Sequence, residues 1–165
     1  MMAKPKKQEK QLFMTRLMTP DMSNFSGKVH GGTILKLLDE AAFSCASRYC
    51  KTYVVTASLD QVVFKKPITV GDLVTFKCNV NYVGRSSMEI GIRVEGERIR
   101  EKKKYHAISC YFTMVSVDEN GKTLPVPRLQ LESDTEQRLF EAGKMRCAMR
   151  NEIQERNLQL HVGLD

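Results

Sequence analysis

Residues 32–51, GTILKLLDEAAFSCASRYCK, hold strong helix formers and no proline. At about 100° per residue, Lys36, Glu40, Ser44, Ser47 and Lys51 fall on one narrow stripe, and Leu, Ile, Ala, Phe and Cys fill nearly everything else. So thin a polar stripe predicts a helix largely enclosed by other structure. Asp39 breaks the pattern, because its neighbours by angle are Gly32, Leu35, Phe43 and Ala46 rather than the stripe. A carboxylate there faces something other than bulk water, and it is either satisfied by a buried partner or reserved for chemistry.

The segments that follow have a different period. In DLVTFKCNVNY, Val74, Phe76, Cys78, Val80 and Tyr82 alternate with polar residues, and in MEIGIRVE so do Met88, Ile90, Ile92 and Val94. Each predicts a strand with one buried face, and Val83 to Ser87 is short enough to join them as antiparallel neighbours. Tyr105 to Val117 is apolar on both faces, as a central strand would be, and Tyr53 to Phe64 reads similarly. Gly71-Asp72 and Asn120-Gly121 mark turns. The apolar stretch 11–18 predicts a short first strand, followed by a loop from Pro20 to Gly27. One enclosed helix among several antiparallel strands is an α+β pattern, a curved sheet wrapped around one central helix. Residues 133–157 read as a second, charged helix with Ser133 as N-cap and Glu136 at the capping-box position. Its Leu139, Phe140, Met145, Met149 and Ile153 predict a narrow apolar seam with a structural or assembly role.

Composition sets the outer limits. The 165 residues, 42% hydrophobic and 27% charged, suit one globular domain with a helical appendage. No apolar run is long enough to cross a bilayer. The start MMAKPKKQEK lacks an apolar h-region and reads as a disordered basic tail over residues 1–10, so cytoplasmic residence is expected. The net charge of +7 favours an anionic partner, but no aromatic-interleaved basic motif points to nucleic acid. Cys45, Cys50, Cys78, Cys110 and Cys147 lack paired C-x-x-C spacing, and three scattered histidines make no metal set, so no metal is expected.

Gly31 and Gly32 open the helix, where backbone N–H donors have no intrahelical acceptor and another group can approach closely. Such donors suit a carbonyl or oxyanion, or the glycines serve close packing. Gly32 and Asp39 lie on one face about 10 Å apart. Ser26, Ser44 and Cys45 lack a nucleophile-elbow context, HGGTILK lacks the ending of a phosphate loop, and His30 is expected to pack the loop.

The run Asn24-Phe25-Ser26-Gly27-Lys28-Val29-His30-Gly31-Gly32, followed by Asp39-Glu40-Ala41, resembles the signature of the hotdog-fold acyl-CoA thioesterases, the acyl-CoA hydrolase family. Three later segments resemble it in order and spacing: Val62 to Ile68, Val70 to Val74, and Tyr82 to Met88. The likeness runs from about residue 12 to 128, and residues 129–165 are left as the helical extension of an 11–128 hotdog domain.

The resemblance implies that Asp39 is the catalytic carboxylate and Asn24 its polar companion, paired across a dimer interface, with trimers of such dimers. Gly31 and Gly32, Gly32 above all, are expected to bind the carbonyl while Asp39 takes a proton from water and Asn24 orients water or substrate. Direct attack by Asp39 to form an anhydride stays open. Arg85, Ser86 and Ser87 are the expected coenzyme A contacts by resemblance, with Lys65, Lys66 and Arg93 next. Coenzyme A is part of substrate and product, so no separate cofactor is expected. The alternatives are a non-catalytic hotdog module that senses acyl-CoA, and a dehydratase using His30 with Asp39.

Overall fold

A computed structural model of the chain describes residues 7–160, so residues 1–6 of the expected basic tail and residues 161–165 lie outside it. Strands β1 (Gln11–Leu17), β2 (Val54–Leu59), β3 (Leu73–Val83), β4 (Ser87–Arg98) and β5 (Lys103–Ser116) form one antiparallel sheet in the order β1-β3-β4-β5-β2. Helix α1 (Gly31–Cys50) lies across one face and α2 (Asp134–Gln159) against the other. This is the hotdog arrangement that the resemblance implies.

The alternation of β3 and β4 does its expected work. Val74, Phe76, Cys78 and Val80 of β3 and Met88, Ile90, Ile92 and Val94 of β4 are buried, and they share one core with Ile34, Leu37, Leu38, Ala41, Ala42 and Cys45 of α1. Small residues on that face of α1 let the helix lie close to the curved sheet. The enclosure is one-sided, however. Leu35 and Phe43 stay 38% exposed and Asp39 is exposed, because a single sheet can wrap only one side of a helix.

Two expectations are corrected. Within Tyr53 to Phe64, read as a central strand, only Val54–Leu59 is strand, and it is the edge strand β2, paired only to β5 and exposed from Val55 to Leu59. Its apolar residues serve a surface that the single chain leaves bare. Second, the basic tail does not extend to residue 10. Lys10 is buried and holds Glu132 at 3.1 Å and Glu136 at 2.8 Å, while Gln8 bonds the backbone of Arg128 and Gln130, so the chain start clamps the start of α2. The narrow apolar seam expected of α2 is not what holds the helix to the sheet. Met145, Met149 and Ile153 are 67%, 57% and 56% exposed, and only Phe140, against Tyr82, joins the sheet as an aromatic contact.

Charge holds α2 instead. Glu89 of β4 is 1% exposed and accepts two hydrogen bonds from Arg146 Nε at 3.1 and 3.2 Å, one from Arg146 Nη2 at 2.6 Å and one from Arg150 at 3.1 Å. The Arg146 guanidinium also stacks 3.7 Å from the centroid of the Tyr111 ring. Gly143 makes the close approach possible: a Cβ there would lie 2.7 Å from Tyr82 Cβ. The N-cap is as the sequence predicts, with Ser133 Oγ accepting from Glu136 N–H at 3.2 Å, but the Glu136 carboxylate reaches Glu132 N–H rather than closing the box on Ser133.

Candidate active site

Asp39 projects from the side of α1 that the sheet leaves open. Its Oδ1 accepts a hydrogen bond of 2.6 Å from the hydroxyl of Thr56 on β2. The register of β2 against β5 is irregular between Thr56 and Ser58, and a bulge at such a place re-aims the neighbouring side chain. Leu35, Phe43, Tyr53, Val63 and Phe64 are all exposed large apolar residues of α1 and the flanks of β2. An ionised carboxylate in such surroundings loses water when anything covers the face, which strengthens its interactions with whatever covers it.

The helix start is built differently from the sequence expectation. His30 is the N-cap of α1, and its Nδ1 accepts the Gly32 N–H at 3.0 Å. The His30 carbonyl takes the N–H groups of Thr33 and Ile34. The Gly32 N–H, expected to face a carbonyl, is thus engaged by the cap in the single chain. The Gly31 N–H is the one that finds no acceptor among the described residues. His30 is a capping residue, its Nδ1 committed as an acceptor and its ring proton therefore on Nε2.

Asn24 is locked by its own loop. Its Oδ1 accepts from Ser26 N–H at 2.9 Å, Ser26 Oγ at 2.8 Å and Lys28 N–H at 3.1 Å. This fixes which end of the amide is oxygen and leaves the Nδ2 donors pointing away from the turn. No hydrogen bond among the described residues joins Asn24 to Asp39 within the chain.

The expected coenzyme A contacts separate into two sets. Lys65, Lys66 and Arg85 are exposed with no acidic partner among the described residues, and Ser86 and Ser87 follow Arg85 in the β3–β4 hairpin. Arg93 belongs elsewhere. It lies on the α2 side of the sheet, where its Nε donates to Glu95 at 2.8 Å beside a Lys77–Glu95 pair of 2.6 Å. Hydrogen bonds from Lys77 and then Arg93 hold the Glu95 carboxyl down at about 2. Because the folded value lies below the ordinary 4.5, this trio's stabilisation is present above about pH 4.5 and fades as pH falls toward 2. Glu95→Gln should flatten the acid limb of a stability-versus-pH curve, read by urea unfolding at stepped pH.

Sequence reasoning missed Thr56 and Arg128. Nothing local marks Thr56, whose role comes from the strand beside it. Arg128 shares a cleft of about 580 Å³ with Arg85, Val126, Leu129 and Phe140, and no acidic residue lines it. Burial pushes the Cys45 and Cys110 thiols up to about 12, so neither is a ready nucleophile.

The model of the family described as "Thioesterase superfamily" matches residues 26–103. The Helicobacter pylori protein VdlD is 46% identical over 140 residues, covering 85% of this chain and 80% of VdlD. A solved apo-hexameric acyl-CoA thioesterase is 35% identical, with a TM-score of 0.83 over 87% of this chain and 92% of its own. The chain belongs to the thioesterase superfamily. A Staphylococcus aureus acyl-CoA hydrolase, solved with butyryl coenzyme A, coenzyme A and coenzyme A disulfide, has a TM-score of 0.84, 31% identity, and coverage of 92% of this chain and 93% of its own. Alanine variants of that hydrolase at an asparagine, an aspartate and a threonine have also been solved.

In this thioesterase the N-cap gives a direct test of the helix start. Removing the Nδ1 acceptor by His30→Ala should cost about 0.5–2 kcal/mol of stability, because an N-cap hydrogen bond is lost. A lowered urea midpoint at unchanged slope is the expected result.

Proposed function

We propose that this thioesterase hydrolyses acyl-CoA thioesters to a free fatty acid and coenzyme A, with Asp39 activating the attacking water. The observation that carries the reading is the Thr56-anchored Asp39 carboxylate on a bare apolar face, close to where an acyl chain would lie. A thioester has a good thiolate leaving group, so one general base and one or two carbonyl donors suffice. The Gly31 N–H and the Asn24 Nδ2 donors are the candidates for the carbonyl.

Geometry favours a site shared by two subunits. Gly31 and Asp39 are eight residues apart on α1, an axial distance of about 12 Å. Donor to carbonyl, carbonyl to water and water to carboxylate are three contacts of about 2.8 Å, roughly 8 Å in all. One chain's donor and base are too far apart, whereas two copies meeting on the bare face of α1 and β2 could set one chain's helix start against the other's Asp39. We infer a dimer of this kind, assembling further as trimers of dimers; the hexameric relative supports the larger assembly.

The residue roles have support of a second kind. In the Staphylococcus aureus hydrolase the substituted asparagine precedes the aspartate by 15 positions and the threonine follows it by 17. Asn24, Asp39 and Thr56 have the same two intervals here, and the second is bridged by a hydrogen bond. Arg85, Ser86 and Ser87, with Lys65, Lys66 and now Arg128, are assigned to the phosphates of coenzyme A, where charge-assisted hydrogen bonds act. Five free cysteines, four of them buried, fit a reducing, cytoplasmic setting. No helix among the described residues is long and apolar enough to cross a membrane.

The test is thiol release from a panel of acyl-CoAs of rising chain length. Hydrolysis of at least one is expected, and binding without thiol release across the panel overturns the reading. Arg85→Glu should raise KM for the preferred substrate by about tenfold, the value of one charged hydrogen bond, with kcat little changed.

A further inference from the structure

The edge strand that carries Thr56 has few restraints. Strand β2 pairs on one side only, Val55 to Leu59 are exposed, and its ladder to β5 is broken beside Thr56. Yet Thr56 meets Asp39 at 2.6 Å, a contact that a small strand displacement would open. Something must fix the far end of the strand.

Asp60, the residue after β2, is held there from two sides. Its N–H donates to the Tyr111 carbonyl at 3.0 Å, continuing the strand past its formal end. Its Oδ2 accepts from Arg150 Nη1 of α2 at 2.8 Å. The same Nη1 bonds Glu89 at 3.1 Å, and Glu89 is in turn gripped by Arg146, whose guanidinium lies on the Tyr111 ring. Glu89 and Asp60 neutralise Arg146 and Arg150, so the cluster is a closed set of two cations and two anions with no charge left for a ligand.

We propose that Arg150 and Asp60 are positioning residues: α2 braces the bulged edge strand through this ion pair, and the brace sets Thr56 against Asp39. The inference rests on the hydrolytic reading given above. It assigns α2 a role in turnover although the helix lies on the opposite face of the sheet from α1. A long helix held by arginines rather than by an apolar seam suits this role: Arg146 grips Glu89 through both Nε and Nη2, which fixes the direction of the helix where apolar packing tolerates sliding, and Arg150 Nη1 ties that fixed point to Asp60.

The experiment compares kcat and KM of full-length Arg150→Gln, Arg150→Lys and Asp60→Asn at a temperature where each is folded by circular dichroism. Displacement of the strand should lower kcat of Arg150→Gln and Asp60→Asn by between about tenfold and a hundredfold while KM changes little. Arg150→Lys, which keeps one charged contact, should recover part of the loss. Lys10→Gln is the control, since it loosens the other end of α2 without touching Asp60, and its kcat should match the wild type. If kcat of Arg150→Gln and Asp60→Asn stays within about twofold of wild type, or if Lys10→Gln loses as much in step with its melting temperature, the brace is refuted. Asp39→Asn separates the two failures: a dead Asp39→Asn beside unaffected brace variants overturns only the brace, an active one removes Asp39 as the base, and a wild type that releases no thiol overturns the hydrolytic reading itself. Should Arg150→Gln unfold, Asp60→Asn decides alone, because it leaves the Glu89 pairs intact.

Discussion

Asp39→Asn should lower the turnover of acyl-CoA by about a hundredfold or more, the contribution of a positioned general base. The substitution is nearly isosteric. Asparagine Oδ1 can still accept the Thr56 hydroxyl, and the side chain lies on the open side of α1, so melting temperature and secondary structure should be unchanged. The loss is then chemical: an amide cannot take the proton that water gives up on attacking the carbonyl. Thiol release measured with a chromogenic reagent checks it, and near-native turnover would remove Asp39 from the mechanism. A single turnover of the wild-type enzyme in heavy-oxygen water separates the two routes that a carboxylate allows. A general base delivers solvent oxygen to the product acid, whereas an anhydride hydrolysed at the enzyme acyl group delivers an Asp39 oxygen.

The largest effect on stability is expected at Glu89. Glu89→Ala removes the shared acceptor of Arg146 and Arg150 from a position that is 1% exposed. Arg146 then keeps its stacking on Tyr111 but has no counter-ion, and Arg150 keeps only Asp60. Breaking a buried pair by deleting one partner typically costs about 3–5 kcal/mol, because a desolvated charge is left uncompensated. For a chain of this size that is a fall in melting temperature of roughly 10 °C. The loss should change little with added salt, since buried pairs are weakly screened, and this separates it from surface pairs such as Arg98–Glu101. A cost below about 1 kcal/mol would show that α2 is held by something other than this cluster.

The comparison of sequence with structure turns on how far each signal reaches. The alternation of β3 and β4 is local and states which face is buried, so strand identity and the hairpin at Val83 to Ser87 were readable, whereas the exposed Leu35, Asp39 and Phe43 of α1 were not. Composition cannot say where in a sheet a strand lies. Tyr53 to Phe64 is apolar on both faces either because strands flank it or because it forms a surface left bare, and here the second holds. In α2 the seam residues Met145, Met149 and Ile153 are exposed on the single chain, and arginines, which the periodicity does not single out, carry the contact to the sheet. The site was half legible. Asp39 stood out as a carboxylate off the polar stripe, and the residues around Asn24 and Gly31 carried the family resemblance. Thr56, Arg128 and the capture of the Gly32 N–H by His30 were not legible, because each depends on a partner brought in by folding or on which nitrogen of a ring faces the backbone.

By itself, then, the chain determined its elements, the buried faces of β3 and β4 and the singular position of Asp39 off the polar stripe of α1, since these follow from periodicities of two and 3.6 residues that any neighbourhood must respect. Only the tertiary structure decided the order of the strands, the edge position of β2, the donor left free at the helix start and the charged cluster under α2. The helix-start donor turns on how the His30 ring sits against a backbone N–H two residues away; the contacts of Thr56 and of the charged cluster join residues 17 to 90 positions apart, and nothing in a local pattern encodes the distance between two side chains that meet only after the sheet has closed over its helix.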